Sequence, residues 1–80
     1  MKLPRDLSGR ALAAALAKLG YAIDHQTGSH LRLTTLRGGE HRVTVPLHDA
    51  LKVGTLAGIL REVAAHQTMS RDKLLRELFG

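Results

Sequence analysis

The chain has no cysteine and no tryptophan, and its only aromatic residues are Tyr21 and Phe79. Lack of cysteine excludes a disulfide scaffold, thiolate metal sites and cysteine nucleophiles. With so few aromatics, a base-stacking platform of the RRM or OB type is not expected. The longest apolar run, Ala11–Ala17, has seven residues, far short of the roughly 20 that cross a bilayer. Lys2, Pro4, Arg5 and Asp6 leave no room for the apolar stretch of a signal peptide. A cytoplasmic protein with no membrane partner is expected.

Aliphatic residues and positive charge are what remain. Eighty residues, 44% of them hydrophobic, make one domain (residues 1–80) that should fold but has a small core. Chains of this size often draw part of their stability from a partner subunit. The net charge is +5, which points toward nucleic acid. The excess is uneven. Residues 1–37 carry six Lys/Arg (Lys2, Arg5, Arg10, Lys18, Arg32, Arg37) against Asp6 and Asp24, whereas residues 38–80 are nearly balanced.

Along the chain, Ser8 is an N-cap for an alanine-rich helix over Gly9–Leu19, with Leu12, Leu16 and Leu19 as its apolar stripe. Gly20 stops that helix, and Lys18 complements its dipole. Tyr21–Gln26 reads as a first strand with Tyr21 and Ile23 on one face. Ser29–Leu36 reads as a second strand. A Gly-rich loop at residues 37–40 leads to a third, His41–Val45, which Pro46 closes. After a loop, Thr55 caps a helix ending near His66, with Leu56, Ile59, Leu60 and Val63 inward. Ser70 caps a last helix in which Leu74, Leu75, Leu78 and Phe79 face inward. The order α-β-β-β-α-α predicts an α+β domain: a three-stranded antiparallel meander with its helices on one face, as in double-stranded RNA-binding domains.

The central stretch is His25-Gln26-Thr27-Gly28-Ser29-His30-Leu31-Arg32-Leu33. It reads as a strand end, a tight turn at Thr27-Gly28 in which Gly28 takes a positive φ, and a second strand. Period-two alternation turns Leu31 and Leu33 inward and His30, Arg32 and Thr34 outward. Arg42 and Thr44 share that open face, with Asp24 and Gln26 on the neighbouring strand. An imidazole beside a guanidinium there suits a polyanionic ligand and chemistry on it.

The chain resembles the HicA toxin family of bacterial and archaeal toxin–antitoxin systems. The resemblance runs through Leu3-Pro4-Arg5, Ser8-Gly9, Leu19-Gly20-Tyr21, Gln26-Thr27-Gly28-Ser29-His30, Val43-Thr44-Val45-Pro46-Leu47-His48, Gly54-Thr55-Leu56 and Ile59-Leu60. It implies a double-stranded-RNA-binding-like fold, metal-independent cleavage of mRNA without the ribosome, no cofactor, and a HicB-like antitoxin partner. The family's catalytic histidine, that of Gly-Ser-His, falls on His30. His25 stands where the family often has arginine, and Leu31 where it often has a polar or aromatic residue.

Histidine titrates near neutrality, and RNA carries its own nucleophile in the 2′-OH, so one positioned base starts cleavage without metal. Arg32, on the same face, is the candidate for binding phosphate and stabilising transition-state charge. Gly28 allows close backbone approach to RNA, and Ser29 is a candidate phosphate donor. A general acid is not evident: alternation turns His25 toward the Ile23 side, and His41 is the other histidine considered. His48, His25 and His30 lack the spacing of a zinc motif, so no metal site is expected. His48 is read as packing at the loop–helix junction, and His66 as a structural residue at a helix C-terminus. The open face is where an antitoxin is expected to block RNA. The alternative is a non-catalytic RNA-binding module of the same fold.

Overall fold

A computed structural model describes residues 2–80. The first helix, α1, spans Gly9–Leu16 and continues into a 3-10 turn over Ala17–Leu19. Ser8 begins it, its hydroxyl accepting from the Ala11 N–H at 3.0 Å. Gly20, at φ 84°, ends it in the left-handed region, where glycine carries no Cβ penalty. The expected helix is therefore present, with its last turn tightened. Lys18 lies in that last turn, as expected, and its Nζ also donates to the Leu78 carbonyl at 2.9 Å, covering the C-terminal end of the last helix.

Three strands follow: β1 (Ala22–Gln26), β2 (His30–Thr35) and β3 (His41–Pro46), antiparallel in the order β1-β2-β3. Helix α2 runs Val53–Gln67 and α3 runs Arg71–Phe79. α2 begins two residues before Thr55, with Lys52 at the cap position and no side-chain cap. Ser70 does cap α3, accepting from the Lys73 N–H at 3.2 Å.

One continuous core lies between helices and sheet. Leu31, Leu33, Val43 and Val45 enter it from the sheet, and Leu12, Leu16, Leu56, Leu60, Val63, Leu74, Leu75 and Leu78 from the helices. Phe79, expected inside, is only partly buried against this cluster. Thr35 is buried among them, and its hydroxyl is satisfied on both sides. It donates to the Leu19 carbonyl at 3.1 Å and accepts from the Arg37 N–H at 3.1 Å.

Two junctions fix the end of the sheet that carries the central turn. A Cβ at Gly9 would lie 2.0 Å from the Pro46 carbonyl oxygen, so only glycine lets α1 start so close to β3. The Gly9 N–H donates to the His48 carbonyl at 3.0 Å, and the Leu47 N–H donates to the Ser29 carbonyl at 2.8 Å. The start of α1, the end of β3 and the turn before β2 are thus joined by backbone.

β1 departs most from expectation. It starts at Ala22, one residue late, and Ile23 is 50% exposed although Tyr21 is buried. Ile23 pairs with Leu33 and so points to the helix side. There it borders a groove whose other wall is Ala13, Ala14 and Ala17 of α1 and its 3-10 turn. Alanine side chains are too short to close that groove.

Candidate functional site

The turn between β1 and β2 is closed by a threonine hydroxyl. The Thr27 N–H donates to the His30 carbonyl at 3.0 Å. Its Oγ1 accepts from the His30 N–H at 3.1 Å and the Ser29 N–H at 3.4 Å. Side-chain closure of this kind replaces the left-handed geometry that a two-residue hairpin otherwise needs. Gly28 accordingly has no positive φ, contrary to expectation, and nothing lies within 4 Å of where its Cβ would be. The fold does not require glycine at residue 28.

His30 starts β2, exposed, opposite Pro46. Its Nδ1 lies 2.8 Å from the Ser29 Oγ. A proton on Nδ1 donated to Ser29 would leave the Nε2 lone pair for a ligand, the tautomer a general base needs.

Arg32 lies two residues on, opposite Thr44, and Thr34 lies opposite Arg42. The open face therefore holds His30, Arg32, Thr34, Arg42 and Thr44, as the alternation predicts. Asp24 organises it. The Arg32 Nε donates to Asp24 Oδ1 at 2.8 Å, and the Thr34 hydroxyl donates to Asp24 Oδ2. These hydrogen bonds, the arginine's first, hold the Asp24 carboxyl below the usual carboxylate range, so it is ionised at neutral pH. The arrangement orients Arg32 through Nε alone and leaves its terminal amines for an incoming anion. At the far corner Arg42 lies 3.6 Å from Glu40, both exposed.

The register of β1 corrects two sequence assignments. Ile23 pairs with Leu33 and His25 pairs with Arg32, so Asp24 is an extra residue, a β-bulge. Two β1 residues then oppose one on β2, and Asp24 and His25 both accompany Arg32 on the open face. Simple alternation had turned His25 toward the helix side. It had also put Gln26 on the open face, yet Gln26 pairs with Leu31 and belongs to the opposite side. No glycine or proline marks the bulge. Its only trace in the sequence is a strand too polar to alternate.

His41 lies elsewhere. Its Nδ1 is 2.7 Å from the Tyr21 hydroxyl, and its ring stacks on His66 with centroids 4.4 Å apart. The His66 Nε2–H is shared between the carbonyls of Arg37 and Gly39, at 3.1 and 3.0 Å. Burial first, then the neighbouring His66, pushes the His41 pKa below the ordinary histidine value, with Glu62 opposing. Paired with Thr35, His41 faces the helices and is remote from His30 in the register. His66 is structural, as the sequence implies.

His48 is exposed and borders a polar groove with Ser8, Arg10, Gly28, Leu47 and Asp49. Its backbone carbonyl, accepting from Gly9, holds the loop–helix junction. Among the described residues no group of three or more His, Asp or Glu is arranged to hold a metal ion. No helix among them is long and apolar enough to cross a membrane.

A three-stranded meander, helices on one face and an open polar face on the other, defines a small α+β domain of the double-stranded-RNA-binding-domain-like class. The family model for the HicA toxin of bacterial toxin–antitoxin systems matches residues 9–64, and the chain belongs to that family. The matched stretch takes in α1, the whole sheet and most of α2, and leaves α3 and Leu3-Pro4-Arg5 outside. No curated protein and no solved structure matches the chain. Membership carries a toxin role and pairing with a HicB-like antitoxin.

Proposed function

We propose that the chain is a toxin ribonuclease: a metal-independent endoribonuclease that cleaves mRNA through His30 and is silenced by a HicB-like antitoxin. The observation that carries this reading is an exposed histidine whose Nδ1 is held by Ser29 at 2.8 Å, beside an arginine oriented by an ionised aspartate. His30 Nε2 takes the proton of a 2′-OH. The 2′-oxygen then bonds to the adjacent phosphorus, and the bond from phosphorus to the 5′-oxygen breaks. The products are a 2′,3′-cyclic phosphate and a 5′-OH. The terminal amines of Arg32 bind the non-bridging oxygens, where negative charge grows in the transition state. Gly28, with open space at its Cβ position, gives the RNA backbone close access to the turn. Ser29 keeps the imidazole in the basic tautomer. An antitoxin covering the open face would block this site directly.

The test is cleavage of a 5′-labelled single-stranded RNA in EDTA, by wild type and by His30→Ala. Fragments ending in cyclic phosphate from wild type alone support the reading. Equal RNA binding by both proteins, with no fragments from either, would leave a binding module and sink the enzyme. Affinity that falls steeply with salt fits both outcomes, since counterion release drives either kind of binding. Product formation separates them.

A further inference from the structure

The bulge at Asp24 sets a second histidine on the face of the first. His25 pairs with Arg32 and His30 lies two residues before Arg32 on the same strand, so the two histidines are diagonal neighbours across β1 and β2. Such neighbours stand roughly 7 Å apart, with side chains on one face. Both are exposed, and Arg32, the phosphate candidate, belongs to both relationships. Transfer of a phosphoryl group from the 5′-oxygen to the 2′-oxygen has its two reacting oxygens on opposite sides of phosphorus. Each needs a proton partner within hydrogen-bond reach, about 3 Å. His25 directly opposite Arg32, and His30 two residues along β2 from it, give the phosphate candidate one imidazole neighbour on each strand.

We infer that His25 is the general acid of this site, donating a proton to the 5′-oxygen as it leaves while His30 removes the proton of the 2′-OH. The inference rests on the ribonuclease reading and completes its proton balance. The bond from phosphorus to the 5′-oxygen breaks, its electron pair goes to that oxygen, and the His25 imidazolium supplies the proton. After the step His25 is neutral and His30 is protonated. Exchange with water then resets both. Of the other histidines, His41 and His66 are committed to each other behind the sheet, and His48 lies beyond the end of β3, outside the ladder that pairs His25 with Arg32, in a groove it shares with Ser8, Arg10 and Gly28.

The decisive probe is a pair of RNA substrates, one ordinary and one with sulfur replacing the bridging 5′-oxygen at the cleaved bond. A thiolate leaves without being protonated, so it has no need of a general acid. His25→Ala should cut the oxygen substrate about 100-fold more slowly than wild type, a loss typical of a missing general acid, and cut the sulfur substrate at nearly the wild-type rate. Its rate profile on oxygen should also lose the alkaline limb. His30→Ala should fail on both. Equal losses by His25→Ala on the two substrates, or no loss on either, would overturn the assignment while leaving the ribonuclease intact. If the wild-type chain cuts neither substrate, the ribonuclease reading falls and takes His25 with it.

Discussion

The molecule holds two pairs of histidines on opposite sides of one sheet, and they are built to opposite ends. His41 and His66 stack behind the sheet, His41 Nδ1 engaged by Tyr21 and His66 Nε2 by the loop carbonyls of Arg37 and Gly39. His25 and His30 stand on the open side, and only the Nδ1 of His30 has a side-chain partner, Ser29. Residue type is the same and the surroundings decide the role. Two rings stacked face to face, each with a nitrogen tied to the fold, serve the fold, and the exposed second pair serves the ligand.

The sharpest break between the pairs should come from His30→Ala. RNA cleavage is expected to fall at least about 100-fold, with stability unchanged within about 0.5 kcal/mol because the residue is exposed. A cleavage assay and a denaturant melt on the same preparation check both halves. Next is His66→Ala, which removes the stack on His41 and the shared bond to two carbonyls. A stability loss of about 1 kcal/mol is expected, with RNA cleavage within about twofold of wild type. The two variants should therefore be mirror images.

Acid should act on the rear pair as well. The fold holds His41 neutral, so as pH falls the unfolded chain takes up this proton before the folded chain does. Its contribution is whole above the ordinary histidine value of about 6.5. It is lost as pH drops through that value toward the depressed one. Thermal midpoints measured from pH 8 to pH 5 should decline over the acid half of this range, and His41→Gln should flatten the decline. An unaltered slope in that variant would place the acid sensitivity elsewhere. The smallest effect is expected from Gly28→Ala. Stability should hold or rise by up to about 1 kcal/mol, because the added methyl meets open space at an ordinary φ. Only RNA cleavage should decline, reflecting the close approach that glycine permits.

Much of this architecture follows from pattern. The leucine spacings of α1, α2 and α3, the glycine stop at Gly20 and the alternation through β2 and β3 locate the helices, the core and the open face. His30, Arg32 and Thr34 fall where period two sends them, because β2 is flanked on both sides and its register cannot slip without exposing Leu31 and Leu33. β1 is different. It is an edge strand, every residue of it is exposed, and no burial enforces its phase, so neither the bulge nor the side His25 takes can be read from the sequence. Gly28 misled for a related reason. The closure that a glycine usually supplies came from the Thr27 hydroxyl, and a hydroxyl in a turn has several uses that composition does not distinguish. The pairing of Tyr21 with His41 and His66 joins residues distant in the chain and has no local signature.

The bulge also has a meaning at the level of the gene. Ile23 and His25 pair with the adjacent residues Leu33 and Arg32, so the ladder is complete without the residue between them. Removal of the single codon for Asp24 would leave a regular strand with every other side chain on its present side. That deletion would take out the carboxylate that holds Arg32 and Thr34 and nothing else from the sheet. The acidic element of this face is thus a unit of inheritance in its own right, able to be gained or lost in one step while the domain around it stays the same.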